Sequence, residues 1–214
     1  SVDIAVFRVH AKQLQVLLVK REATSSAYPG QWGLAGGTLD ATDADLLQAV
    51  HRTLKRRVGS DLAYVEQVAT EGSATRDPRG WSMTTLYFAL VGLNEKVEIN
   101  EQTRWVSIDD PQVRALAFDH SHLLQMAVQR FRNKTVYSLL PAYLLPNDFT
   151  YTELHETYQI ILGRAIDESK FRTKLKAHPD LILGEKRTGV AYRAPVMLRV
   201  SPTPSKLLFP KPLV

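Results

Sequence analysis

GGTLDATDADLLQAVHRTLKRRVG, residues 36–59, decides how the rest of the chain is read. A glycine pair at a strand end leads into a polar loop and then into one amphipathic helix. Asp43 has the side chain of an N-cap, so the helix is expected from about that residue to Val58. Gly59 suits the left-handed position just past its end. Leu46, Leu47, Ala49, Val50 and Leu54 supply an apolar stripe at helical spacing. Thr53, Arg56 and Arg57 differ by three and four and share one face. The arginines on that face have two readings. They form a solvated cationic end that favours the helix dipole, or they meet ligand phosphates, which suits guanidinium forks.

Upstream, residues 2–10 (VDIAVFRVH) read as a strand and 14–20 (LQVLLVK) as its buried partner, with a short turn at 11–13. A loop at 22–31 carries Tyr28-Pro29-Gly30, and Trp32-Gly33-Leu34-Ala35 leads into the glycine pair. Downstream, 62–71, 82–93 and 104–108 read as strands, with the loop 73–80 between the first two. A helix from about Asp119 to Phe131 follows. This order predicts an α/β domain in which helices pack on a mixed sheet.

Pro141 and Pro146 punctuate 135–146, which reads as a junction. Thr150 and Glu153 then spell a capping box, Phe149 and Leu154 a hydrophobic staple, and Gly163 a helix end. A second helix is expected from near Asp167, carrying Phe171 and Leu175 inward and ending by His178-Pro179. Residues 181–183 and 196–198 read as two strands joined by a basic loop. Helix, short turn, helix, hairpin is the order of a winged helix-turn-helix. Two domains follow, 1–146 and 147–214. The prolines of 201–214 favour an extended tail over a packed one.

At 214 residues the chain suits two domains, and no segment is long and apolar enough to span a bilayer. No segment reads as a signal peptide. The absence of cysteine excludes disulfides and thiolate metal sites. A cytoplasmic protein with no membrane partner and no structural metal is the expectation. The net charge of +5 is uneven. Residues 1–146 hold 16 Lys/Arg against 15 Asp/Glu, and residues 147–214 hold 11 against 7. The excess concentrates late, a pattern that suits a nucleic-acid surface but also occurs in small basic domains that bind nothing acidic. On the second helix of the late domain Ser169, Lys170, Arg172, Thr173, Lys174 and Lys176 are not claimed by the core. Such donors suit phosphates and guanine edges in a major groove. Lys186, Arg187 and Arg193 on the hairpin loop would reach the backbone or an adjacent minor groove.

Residues 36–59 resemble the Nudix box, whose loop and helix bind a diphosphate through metal ions. Its pattern is Gly, five residues, Glu, seven residues, then Arg-Glu-x-x-Glu-Glu-x-Gly. Gly37, Arg52 and Gly59 fit it with one extra loop residue, but Thr53, Arg56 and Arg57 occupy the helix glutamate positions. Mg²⁺ wants hard oxygen ligands. At an effective dielectric near 20, a divalent ion about 5 Å from one guanidinium is disfavoured by roughly 6 kcal/mol. Asp40, Asp43 and Asp45 remain as possible ligands nearby, yet hydrolysis is not the expectation. No catalytic residue, metal ligand or cofactor is assigned. For nucleotide binding, Arg76 and Arg79 offer two guanidiniums to a diphosphate, Tyr28 and Trp32 offer rings to a base, and Gly36, Gly37 and Arg21 lie beside them.

More widely, WGLAGG at 32–37, RDPRG at 76–80, LAFDH at 116–120 and LLPNDFT at 144–150 resemble the NrtR-type Nudix-related regulators of NAD metabolism. LGR at 162–164 and SKFRTKL at 169–175 extend the likeness. The resemblance implies a homodimer that binds a palindromic operator near NAD biosynthesis or salvage genes. It also implies a Nudix-like domain that binds ADP-ribose as effector and then releases the DNA. An ADP-ribose pyrophosphatase with an appended winged helix is the alternative. A protein-interaction module with neither activity is a third.

Overall fold

Val2, Ile4 and Val6 alternate with Asp3, Ala5 and Phe7, and both sets are buried, so the first strand lies inside a sheet covered on both faces. The computed structural model describes every residue except 61, 63, 98, 177, 187–194, 203–206, 210, 213 and 214, and only the backbone of 185 and 186. Its elements in order are β1 (Val2–His10), β2 (Gln13–Lys20), β3 (Trp32–Gly33), β4 (Ala35–Gly37), α1 (Leu46–Val58), β5 (Tyr64–Ser73), β6 (Ser82–Leu90), β7 (Thr103–Ser107) and α2 (His120–Thr135). Then come α3 (Tyr151–Leu162), α4 (Glu168–Lys176), β8 (Leu181–Lys186) and β9 (Val196–Val200). Short 3₁₀ turns occupy Pro111–Arg114 and Leu140–Leu144. Contacts divide the chain into two compact units: residues 1–10, 14–91 and 95–131 make the first, and residues 132–214, with 11–13 and 92–94, make the second, so that α2 runs from one to the other.

The first unit is built on a seven-stranded mixed sheet ordered β3-β2-β1-β6-β5, with β4 paired to β1 and β7 to β2. The β1–β6 pairing is parallel, while β1–β4, β2–β3, β2–β7 and β5–β6 are antiparallel. One face carries α1, whose Ala49, Val50, Leu54 and Val58 bury against Val2, Ile4, Val6 and Leu17. On the other face Phe131 of α2 stacks on Phe7 at 5.7 Å and tilts against Phe88 at 5.4 Å. The α/β architecture inferred from element order is therefore present.

Two local expectations for α1 are corrected. Asp45, not Asp43, is the N-cap, and its carboxylate accepts from the Gln48 N–H. Asp43 is instead taken by Arg52, nine residues on, through two bonds of 2.7 and 2.5 Å. Leu46 and Leu47 sit in the first turn and are 38% and 46% exposed, so the buried stripe begins at Ala49. The other end is as expected, with Gly59 at φ 80° returning its N–H to the Lys55 carbonyl.

In the second unit Thr150 and Glu153 form the reciprocal capping box, and Gly163 closes α3 at φ 67°. His155 Nε2 lies 2.9 Å from the Ile166 carbonyl, and Gln159 accepts from the Ile166 N–H, which fixes the turn into α4. β8 and β9 pair as a hairpin, and Phe149 bridges Leu198 from outside it. Leu154, Tyr158, Phe171, Leu175 and Leu198 make the core. The segment read as a junction contributes Leu139 and Ala142 to that core. The tail does not stay clear of packing either. Leu208 bridges Ser138, and Phe209 is buried against His178 at 4.6 Å. Prolines fix an extended backbone, but Leu207–Phe209 carries apolar side chains that an extended edge can still bury.

Candidate functional site

The first unit holds a cavity of about 320 Å³ at the end of the sheet where β1, β3 and β4 begin, closed by the 73–80 loop and the approach to α2. Glycines let the walls come close. A Cβ on Gly36 would lie 2.4 Å from Asp3 Oδ1, and one on Gly33 2.7 Å from His120 Nδ1. A Cβ on Gly37 would lie 2.5 Å from Thr53 Oγ1. The three glycines are thus demanded by three side chains far away in sequence.

Asp3 follows from the alternation of β1, which turns it to the α2 face. There it meets Arg76 Nη2 at 3.5 Å and His120 Nε2 at 3.4 Å. The Leu34 N–H donates to His120 Nδ1 at 2.9 Å, which leaves the ring proton on Nε2, facing Asp3. Arg76, only 8% exposed, donates twice to Asp119 at 3.0 Å and once to Ser82 at 3.3 Å. Asp77 receives Arg79 at 2.6 Å, and that guanidinium holds its carboxyl down at about 2. Phe118 stands at φ 54°, a strained conformation for an aromatic residue. Its ring takes Tyr28 at 4.7 Å, the Arg21 guanidinium at 4.6 Å and that of Arg79 at 5.7 Å.

Six cationic side chains line the cavity, Lys20, Arg21, Arg56, Arg57, Arg76 and Arg79, against the acids Asp3, Glu22 and Asp77. Burial first, and then the charge of Arg79, lowers the pKa of Arg21. Burial and then Arg56 do the same at Arg57. The cations therefore press on one another, a state that an anion relieves.

Of the residues singled out from sequence for nucleotide binding, Arg21, Gly36, Gly37, Arg76 and Arg79 come together on this cavity. Tyr28 backs Phe118 instead of lining the wall, and the Trp32 ring carries Arg104 at 3.8 Å. Sequence reasoning missed Asp3, Phe118 and His120. LAFDH at 116–120 was the only signal for two of them.

Magnesium, which a Nudix box implies, does not fit these residues. Thr53, at a glutamate position, is 2% exposed and its hydroxyl has no hydrogen-bond partner among the described residues. The acids that might substitute are engaged elsewhere: Asp40 accepts from Thr42, Asp43 binds Arg52 and Asp45 caps α1. Arg56 and Arg57 stand where the remaining carboxylates would.

In the second unit Phe171 and Leu175 are buried, while Ser169, Lys170, Arg172, Thr173, Lys174 and Lys176 are all exposed. Asp167 caps α4 by accepting from the Lys170 N–H at 2.7 Å. Arg172 lies 4.9 Å over the Tyr151 ring, Lys174 donates to the Pro212 carbonyl, and the Thr173 hydroxyl donates to Ser169. Lys186 ends β8, but its side chain, like Arg187 and Arg193, lies outside the described residues.

Family models match both units: a Nudix domain over residues 1–127 and the NrtR DNA-binding winged helix domain over 141–199. The chain belongs to the NrtR family. An ADPR-responsive transcriptional repressor from Acinetobacter baylyi is 44% identical over 181 residues, 82% of this chain and 71% of the relative. The NrtR of Shewanella oneidensis, crystallised with a 27-mer DNA, shares 34% identity at a TM-score of 0.89, covering 100% of this chain and 98% of that one. The Nudix domain of that same NrtR, in complex with ADP-ribose, shares 37% identity at a TM-score of 0.54, over 61% of this chain and 86% of that one. Among the described residues no helix is long and apolar enough to cross a membrane.

Proposed function

We propose that this chain is a transcriptional repressor of NAD biosynthesis or salvage genes whose Nudix unit senses ADP-ribose without hydrolysing it. The observation that carries this reading is a cation-rich cavity built on a Nudix frame in the same chain as an exposed basic α4. The names of the NrtR-family relatives, one ADPR-responsive and one crystallised with DNA, support it. Arg21, Gly36, Gly37, Arg76 and Arg79 would surround the nucleotide, with Phe118 beside them. Ser169, Lys170, Arg172, Thr173, Lys174 and Lys176 would enter the major groove, and Lys186, Arg187 and Arg193 would hold the flanking backbone.

The protein acts as a homodimer on a palindromic operator, and ADP-ribose favours an arrangement whose two winged helices no longer match the half-sites. A gel shift on the promoter of a NAD-synthesis gene tests this directly. Retarded DNA that is released by ADP-ribose is the expected result. A probe that never shifts removes the repressor reading, and a shift indifferent to the nucleotide removes the sensor. AMP release from ADP-ribose in the presence of Mg²⁺ would overturn the non-catalytic assignment.

A further inference from the structure

The two arginines at the box glutamate positions are not left idle on the helix surface. Arg56 and Arg57 both line the cavity, as do Arg21 and Gly37. Neither is hydrogen-bonded or ion-paired among the described residues, whereas Arg76 and Arg79 in the same wall are each locked to an aspartate. Arg57 is half-buried, and the acid acting on it is Glu22, which lines the same cavity. A half-buried guanidinium beside a second one, with its donors unused among the described residues, is placed to take an anion.

We propose that Arg56 and Arg57, with Arg21, form a metal-free clamp for the diphosphate of the bound nucleotide, doing by direct hydrogen bonding what a divalent ion does in a carboxylate-lined box. This inference rests on the proposed ADP-ribose reading and adds to it the residues and the absence of a metal requirement. The chemistry is consistent. Guanidiniums present paired donors that match phosphate oxygens, and three of them neutralise a diphosphate that carboxylates could bind only through a cation. Glycine at 37 matters to the same clamp, because a side chain there would meet Thr53 and fill the floor.

Calorimetry of the full chain with ADP-ribose, in excess EDTA and then in Mg²⁺, tests the clamp. Wild-type protein is expected to bind equally in both. Arg56→Gln/Arg57→Gln is expected to bind at least about tenfold more weakly, because each lost bond to a charged group typically exceeds that factor. Wild-type tryptophan fluorescence in the same variant reports that its first unit has folded, and Arg57→Lys restores part of the affinity. ADP-ribose binding that requires Mg²⁺, or that survives loss of both arginines, overturns the clamp and leaves the sensor intact. Absence of binding by the wild type in either buffer overturns the sensor, and the clamp with it.

Discussion

The two units hold their basic residues differently. In the Nudix unit Arg52, Arg76 and Arg79 are each fixed to an aspartate, so their positions are set before any ligand arrives. On α4 of the winged helix Lys170 and Lys176 have no ion pair among the described residues, and Arg172 rests on an aromatic ring. Fixed cations give a cavity a shape, which is what discrimination between nucleotides needs. Exposed cations on a helix exchange their counterions for phosphates, which gives affinity that falls with salt. The cavity thus joins fixed guanidiniums to the unpaired Arg56 and Arg57, whereas Lys170, Arg172 and Lys176 of α4 are fixed to no carboxylate among the described residues.

The contrast is most exposed at Arg76. Arg76→Ala would strand Asp3 and Asp119 in a partly buried site, and removing one partner of such a cluster costs about 3 kcal/mol. All three tryptophans, at 32, 81 and 105, lie in the first unit, so fluorescence-monitored urea unfolding reads its stability alone. A loss below about 1 kcal/mol would mean the cluster is not what fixes the loop. In α4 the reverse should hold. Arg172→Ala combined with Lys174→Ala should weaken operator binding on the order of a hundredfold and flatten its salt dependence. Stability should move by no more than about 1 kcal/mol, since these side chains are exposed and lose a ring contact and a bond to a carbonyl. Unchanged DNA binding would refute α4 as the recognition helix.

A smaller effect separates scaffold from surface within the winged helix. Thr150→Ala breaks one half of the capping box and should cost about 1 kcal/mol in the second unit. Amide exchange along α3 should report that loss, while ADP-ribose affinity stays as it was. An altered nucleotide affinity would show that the two functions are not separable at this cap.

Local signals were the legible ones. Gly59, Thr150, Glu153 and Gly163 could be placed from sequence because each acts on residues within one turn of itself. The N-cap of α1 was misplaced because Asp43 and Asp45 have the same chemistry. Arg52, nine residues after Asp43 and midway along α1, decides between them. The cavity was half legible for a related reason. Its arginines sit in recognisable motifs, but Asp3 becomes part of it only when the sheet brings β1 beside the 73–80 loop and Asp119. The tail was misread because proline content describes backbone shape and says nothing of what Phe209 can bury.

Acid should separate the units last and most gently. Burial lowers the pKa of His178, against the opposing pull of Asp180, so the folded second unit prefers the neutral ring. That preference contributes in full above the unfolded value near 6.5 and is lost as pH falls through the lowered one. Asp43 and Asp77, each at about 2, behave as depressed carboxylates. Their contribution holds above the unfolded value near 3.9 and fades only as pH drops toward 2. Between pH 7 and pH 5, therefore, amide exchange in the winged helix should quicken while tryptophan-reported stability of the Nudix unit stays level. His178→Gln should abolish that difference between the two pH values. Equal weakening of both units over this range would locate the acid sensitivity elsewhere and deprive His178 of the role.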